Sequence, residues 1–559
     1  MDLKNKKVLF VAWGCENPKD TYMYQIYYLI LRKFFPLIET FDTKKNYFQF
    51  GKESMNSKFL KKITEKKYDL ILFAMEGDEF FPETLKEIRD FCPETKTLII
   101  ICDDDARFDS GSRYYSLFFN YVITSQDYVQ EYKKDGIKAF FHLDYNTYKL
   151  SPQNLKKTYD VTFIGRPKAD RNEIIKYLLE HGINIKLFGW DWYKYDEFKD
   201  IYLGPLNSED YAKVINQTKI NLGTSKAGYV EEHNRFHMKA RIFEVAFCKS
   251  FQLIEKFPRL LEFFNEKEIG MYNSQEDMLK KIKYYLKHEK EREKMAERAY
   301  KKTLKNYNRE KQLRTIFTEV FKEEGLTEFP TVDKKIITLN QKDVKNIETA
   351  REKIKDADYI TFDINPLNGS KLKNYFLSRA IQVTDKPISC SDYYVSSRKI
   401  KDYALFLSKF SFKRIGNEAS RLIDINSIMV KKNFFLDNFH IFRDLASGKS
   451  IDFFSEQNTA FVSIPLVSIK KMKKIEYEKM KKAFEFRFQN ELFSLMYQKK
   501  LFFNLYPYHL VFKSLRGNSF ITRYLLETLK DQSNRDKLSV NSAYIENSPL
   551  QKFKKNNQL

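Results

Sequence analysis

The chain has 559 residues, too many for one hydrophobic core, so about three domains are expected. A hydrophobic fraction of 43%, with 50 Phe and 36 Tyr, excludes a wholly disordered chain, and no apolar run is long enough to cross a bilayer. The net charge of +23 is uneven: residues 331–559 hold 41 Lys and Arg against 24 Asp and Glu, which is +17 of the total. A basic last third suits an anionic partner (a membrane surface, a charged glycan or nucleic acid) or is a lysine-rich solvated face.

Residues 6–150 alternate strand and helix signals. "KKVLFVAW", "YDLILFAM", "KTLIIICD" and "YVITS" are short continuous apolar runs, the pattern of strands covered on both faces. Between them "TYMYQIYYLILRKFF", "PETLKEIRDFC" and "SQDYVQEYKKDG" read as helices, with Pro82 in a first turn and Gly136 as a stop. Repeated units of this size predict a parallel, doubly wound sheet whose ligands sit outside the carboxyl ends of the strands. Those ends carry Glu76, Asp78, Asp104 and His142, residue types able to accept a proton from an acceptor hydroxyl. The triplet Asp103–Asp105 has a second reading as a metal site and a third as a cap and turn.

Residues 151–325 repeat the pattern. "YDVTFIGRPKADRNEIIKYLLEHG" predicts strand, turn and helix, with Gly165 at the turn and Asp170 and Glu173 as a capping box. The free N–H groups of that helix suit a diphosphate, and Arg166, Lys168 and Arg171 add positive charge. The strand "NIKLFGWDW" ends at Gly189-Trp190, and "INLGTS" ends at Gly223-Thr224. A buried helix then runs into an apolar strand over residues 237–255. Its anomaly is Glu244, a carboxylate among apolar neighbours that needs donors. Arg241, three residues earlier, is one candidate for a structural ion pair. His233 and His237 lie four apart, as zinc ligands do, but no third ligand is near in sequence. Arg235, His237 and Lys239 place cations where the helix dipole disfavours them, which points to an anionic ligand.

The run Arg241-x-Phe243-Glu244-x-x-x-Cys248, the strand after it and "EIGMYNSQEDMLKKIKYYLKHEKEREKMAERAYKKTLKNY" resemble the C-terminal half of family-1-type glycosyltransferases, the spore-maturation-protein-like branch in particular. The resemblance spans about residues 1–325. It implies the GT-B fold, an α/β architecture of two Rossmann-like domains facing across a cleft: an acceptor-side domain at 1–150 and a nucleotide-sugar domain at 151–325. It also implies that Glu244 binds the donor ribose, that no metal is needed, and that the chain after 287 crosses back to the first domain. Two departures stand out. Lys249 replaces the glycine that usually follows the Cys, and Phe236 replaces the first Glu of the two-Glu pattern of many retaining relatives.

A boundary is expected near "EEGLTEFPTVDKK". In 331–559, "NIETAREKIKDADYITFDINPL" resembles the middle of the GT-A glycosyltransferase fold, with Asp363-Ile364-Asn365 where that fold has Asp-x-Asp. "RLIDINSIMVKKNFFLDNFHIFRD" resembles its acceptor-side segment, with Asp444 near the catalytic carboxylate. The first half of such a fold is too short here, which implies a truncated accessory module, followed by basic helices from 471 on.

Five cysteines, odd in number and without a C-x-x-C pair, together with an N-terminus that lacks a cleavage site, predict a cytoplasmic protein, with its basic third at the inner membrane face. The expected activity is transfer of a sugar from a nucleotide sugar to a glycan, lipid-linked or protein acceptor, without a cofactor or metal. Donor binding falls to Gly165, Arg166, Arg171, Gly189, Lys239, Arg241 and Glu244, and catalysis to Glu76, Asp104 and His237. The alternatives are a non-catalytic scaffold derived from transferase modules and a glucosyltransferase acting on nucleic acid. Against the latter, the basic residues are dispersed and no recognition motif appears.

Overall fold

The computed structural model describes residues 2–16, 23–50, 52–75, 79–102, 104, 108–167, 171–225, 238–322, 333–364, 368–369, 372–396, 403–406, 423–449, 451, 453–455 and 457–470. Three sheets organise them. The first comprises β1 (Val8–Ala12), β2 (Ile38–Asp42), β3 (Leu70–Ala74), β4 (Lys96–Ile101), β5 (Tyr121–Thr124) and β6 (Lys138–Phe141). Its order is β2-β1-β3-β4-β5-β6, every pair parallel. Alternation along β1 shows why these runs are apolar throughout. Leu9 and Val11 face one core with Phe59 and Phe73, whereas Val8, Phe10 and Ala12 face another with Leu31 and Phe34. The edge strands β2 and β6 were absent from the sequence reading because each is short and only partly buried. The expected helix after β1 begins as a π-turn, Tyr24–Tyr28, and continues as Leu29–Phe34. Pro82 and Gly136 hold the expected places, Pro82 at a helix start and Gly136 with φ +78° after a helix end.

The second sheet comprises β7 (Tyr159–Ile164), β8 (Ile185–Phe188), β9 (Thr218–Gly223), β10 (Gln252–Glu255) and β11 (Gly270–Tyr272). Its order is β11-β10-β9-β7-β8, again all parallel. Read from β8, this is the winding of the first sheet without its last strand. Each is Rossmann-like, and in each the strand order reverses beside the first strand, between β1 and β3 and between β7 and β9. We call the two layers lobe one and lobe two.

The chain passes between lobes twice. The outward crossing follows β6, and Leu143 and Tyr145 are buried among Phe243, Phe263 and Phe264 of lobe two. The return runs through the helix Arg309–Lys322, whose Leu313, Ile316, Phe317 and Val320 pack on Phe34 and Phe35 of lobe one. One face of that helix is therefore core, despite its charge-rich sequence.

The third sheet is mixed. β12 (Ile336–Asn340) and β13 (Tyr359–Asp363) are parallel, and β17 (Ile428–Lys431) is antiparallel to β13 and to β15 (Ile388–Ser396). β18 (Thr459–Lys470) runs parallel to β15, β14 (Asn368–Gly369) caps β18, and β16 (Tyr403–Phe406) pairs with β15. This module shares a core with lobe one. Phe376, Leu377, Ala380 and Ile381, from the helix Lys373–Thr384, join Tyr114, Phe118 and Phe119, with Phe376 and Phe118 ring centroids 5.3 Å apart. Burial of Phe376, Leu377 and Ile381 contributes ~2 kcal/mol each. At the rim Asp135 accepts two hydrogen bonds from Arg113 at 3.0 Å and pairs with Arg379 at 3.5 Å. The basic helices expected from 471 on lie outside the described residues. Among those described, no helix is long and apolar enough to cross a membrane.

Candidate functional site

The carboxyl ends of β7, β8 and β9 build the site. After β7 the chain turns at Gly165, whose N–H donates to the Phe188 carbonyl at 2.8 Å and whose carbonyl accepts from Trp192 Nε1 at 2.6 Å. After β8 Gly189 takes φ +116°, and a Cβ there would stand 2.3 Å from the Gly165 carbonyl oxygen. The Tyr202 hydroxyl donates to the Gly189 carbonyl at 2.9 Å. Two glycine turns are thus packed back to back, which no side chain at 189 permits.

Two arginines flank them. Arg171 opens the helix Arg171–Glu180 and is only 8% exposed. Its Nε donates to Thr224 Oγ1 at 3.1 Å and its Nη1 to the Arg166 carbonyl at 2.8 Å. The first bond spans the reversal point, from the turn after β7 to the end of β9. Arg241, in the first turn of the helix Ala240–Phe247, reaches the same place, with Nη2 3.1 Å from where a Gly165 Cβ would stand. Both guanidiniums lie over the Phe163 ring, 5.3 and 5.7 Å from its centroid. Among the described residues no carboxylate pairs with Arg241 within 4 Å. Ser225 closes the rim, donating from N–H and hydroxyl to Glu255 at 3.3 and 2.7 Å. The donor-side residues Gly165, Arg166, Arg171, Gly189 and Arg241 are therefore together. Lys239, at the N-cap of the helix carrying Arg241, is partly buried next to them in sequence.

Glu244 has a different setting from the one expected. It is 8% exposed, and both oxygens have protein donors: the Tyr211 hydroxyl on Oε2 at 2.5 Å and the Asn146 N–H on Oε1 at 2.9 Å. The ion pair with Arg241 is not formed; Arg241 acts on it only at longer range. Burial pushes the carboxyl above its ordinary value, opposed by the Tyr211 and Asn146 hydrogen bonds and the Arg241 charge. Lys249 answers the question its substitution raised. Its φ is +54°, so the lysine holds the left-handed conformation that glycine usually supplies, with Nζ 2.5 Å from Glu297.

In lobe one Asp104 is corrected. It is fully buried, accepting from the Thr124 hydroxyl at 2.6 Å and the Tyr132 hydroxyl at 2.8 Å, so it braces the loop after β4 and is out of reach of a substrate proton. His142 is likewise buried, and desolvation with the nearby Arg309 charge keeps its imidazole neutral. Glu76, Asp78, Lys168, Asp170 and His237 lie outside the described residues. Asp42, which no sequence signal singled out, ties the rim after β1 by accepting from the N–H groups of Gly14, Glu16 and Lys45.

The third module has its own polar cluster. Lys373 Nζ donates to the Phe362 carbonyl at 2.9 Å, and burial lowers its pKa to about 8 against the pull of Asp363 and Asp424. Asp444 pairs with Lys449 at 3.1 Å. Asn365 lies outside the described residues, and among those described no group of three or more His, Cys, Asp or Glu could hold a metal ion.

Comparison with known proteins bears on lobe two. Residues 170–318 match the family model described as glycosyl transferase-like. The matched segment takes in Arg171, Gly189, Arg241 and Glu244. Among solved structures, Anabaena HepE in complex with UDP and glucose is similar at a TM-score of 0.42 and 12% identity, covering 57% of this chain and 100% of its own. A sucrose-phosphate synthase from Thermosynechococcus elongatus (TM-score 0.42, 10% identity) and a glycosyltransferase from Rickettsia africae (0.41, 13%) each cover 57% of this chain and 100% of their own. No curated protein matches the chain.

Proposed function

We propose that this protein transfers a sugar from a nucleoside-diphosphate sugar, held in lobe two, to a hydroxyl of a glycan, lipid-linked or protein acceptor. The observation that carries the reading is the pair of guanidiniums over Phe163 beside the Gly165 and Gly189 turns, at the reversal point of a parallel sheet where ligands of such sheets bind. The glycosyl transferase-like match over residues 170–318, which takes in Arg171, Gly189 and Arg241, supports it.

In the reaction the bond from the sugar anomeric carbon to the diphosphate oxygen breaks, and the acceptor hydroxyl oxygen bonds to that carbon. The hydroxyl proton passes to a base, for which the sequence offers Glu76, two residues past the end of β3, and His237, three residues before the Arg241 helix. Charge left on the diphosphate is met by Arg171 and Arg241, whose fixed placement stabilises it as it develops. The reading therefore includes turnover that survives a chelator. Glu244 takes the ribose by exchange: the Tyr211 hydroxyl on Oε2 gives way to a sugar hydroxyl, one O–H donor for another. The basic last third suits an anionic surface near the acceptor.

The test is calorimetric titration with UDP, GDP, ADP and CDP. The wild type is expected to bind one of them. Arg241→Met is expected to weaken that binding by about 10- to 100-fold, the worth of a charged hydrogen bond, with the melting temperature unchanged. A wild type that binds none of the four ends the proposal.

A further inference from the structure

Glu244 is linked to the opposite lobe. Asn146, on the outward crossing, gives it a backbone N–H. The side chain of Asn146 is committed on both ends: Oδ1 accepts from the Tyr148 N–H at 2.8 Å, and Nδ2 donates to Gln25 Oε1 at 3.3 Å. Gln25 belongs to the π-turn Tyr24–Tyr28 of lobe one. The same Oε1 accepts from the Ser208 hydroxyl of lobe two at 3.4 Å, in the first turn of the helix Ser208–Gln217 that also supplies Tyr211. One carbonyl oxygen of lobe one therefore meets both elements that donate to Glu244. The π-turn is itself pinned, since Arg309 on the return crossing donates to the Ile26 carbonyl at 3.0 Å and to the Leu143 carbonyl at 3.0 Å. Single π-turns of this kind recur at functional sites, where they aim a side chain that an α-helix would direct elsewhere.

We propose that Gln25 is a positioning residue of the donor site: through Asn146 and Ser208 it sets the placement of the two donors to Glu244, so lobe one tunes how tightly lobe two holds the nucleotide. The inference rests on the proposed donor site. It needs only an acceptor atom at position 25, because both contacts are donated to Oε1. Gln25→Met removes the acceptor at nearly constant shape, Gln25→Glu keeps it, and Ser208→Ala removes one donor from the other side.

The experiment titrates full-length wild type and these three variants with whichever of UDP, GDP, ADP and CDP the wild type binds, alongside melting curves. Gln25→Met is expected to bind about three- to tenfold more weakly, the size of effect that residues coupled through a contact network produce, with Gln25→Glu restored to within about twofold and Ser208→Ala in between. Wild-type affinity in Gln25→Met, or equal weakness in Gln25→Met and Gln25→Glu, overturns the inference while leaving the donor site standing. If Gln25→Met does not fold, wild-type affinity in Ser208→Ala overturns it. A wild type that binds no nucleotide removes the donor site and this inference together.

Discussion

Among the described residues, lobe two sets glycine and arginine at its strand ends, whereas lobe one sets carboxylates already taken by protein donors. Gly165 and Gly189 bring backbone against backbone, and the guanidiniums of Arg171 and Arg241 stand beside them. In lobe one Asp104 is consumed by Thr124 and Tyr132, and Asp42 by three backbone N–H groups. The winding is the same, so topology alone does not make a binding site. A rim can serve a ligand where its polar groups are held in place with capacity left over, and on lobe two Arg241, held over Phe163 with no carboxylate among the described residues within 4 Å, fits that condition.

The contrast breaks most directly at Gly189. Gly189→Ala forces a Cβ against the Gly165 carbonyl at a positive φ, and flexible side-chain adjustment offers no escape because the obstacle is backbone. We expect a loss of about 3 kcal/mol or more and of nucleotide binding, read by thermal melting and titration. Wild-type stability in this variant would mean the two turns are not packed as described.

Glu244 sharpens the contrast, as a lobe-two acid that keeps 8% exposure where Asp104 has none. Burial raises its pKa in the folded chain above the unfolded value. The stability this group contributes is therefore complete below the unfolded value and falls as pH rises through the folded one. Glu244→Gln removes that fall while keeping an acceptor for Asn146. Its melting temperature relative to wild type is expected to rise as pH climbs above the ordinary carboxyl range, while nucleotide affinity drops. A difference independent of pH would show that the carboxyl is not held above its ordinary value.

Lys249 gives the smallest effect. Lys249→Gly relieves a left-handed lysine but gives up the half-exposed contact with Glu297, so a net gain of about 0.5–1 kcal/mol is expected, with nucleotide binding unchanged. Destabilisation would place the weight on the ion pair instead.

Much of this was legible in the residues. Continuous apolar runs located the inner strands, and strand-end reasoning placed Gly165, Arg171 and Gly189 on one rim. The resemblance around Arg241 and Glu244 brought the remaining helix to it. What was not legible is long-range. Tyr211, Asn146 and Gln25 reach Glu244 or one another across stretches of sequence that carry no local signal of the pairing. Asp104 misled because a carboxylate after a strand looks the same whether it turns toward a crevice or toward a hydroxyl inside. The helix carrying Phe376 was not read from the sequence, and nothing in its residues says that lobe one covers it.

That shared core has a mechanical consequence. With Phe376 and Ala380 packed among Tyr114 and Phe118, the third module turns with lobe one as a single mass. Relative motion of the two lobes would then have to bend the two crossings of the chain, which meet at the hydrogen bonds of Tyr145 and Arg309.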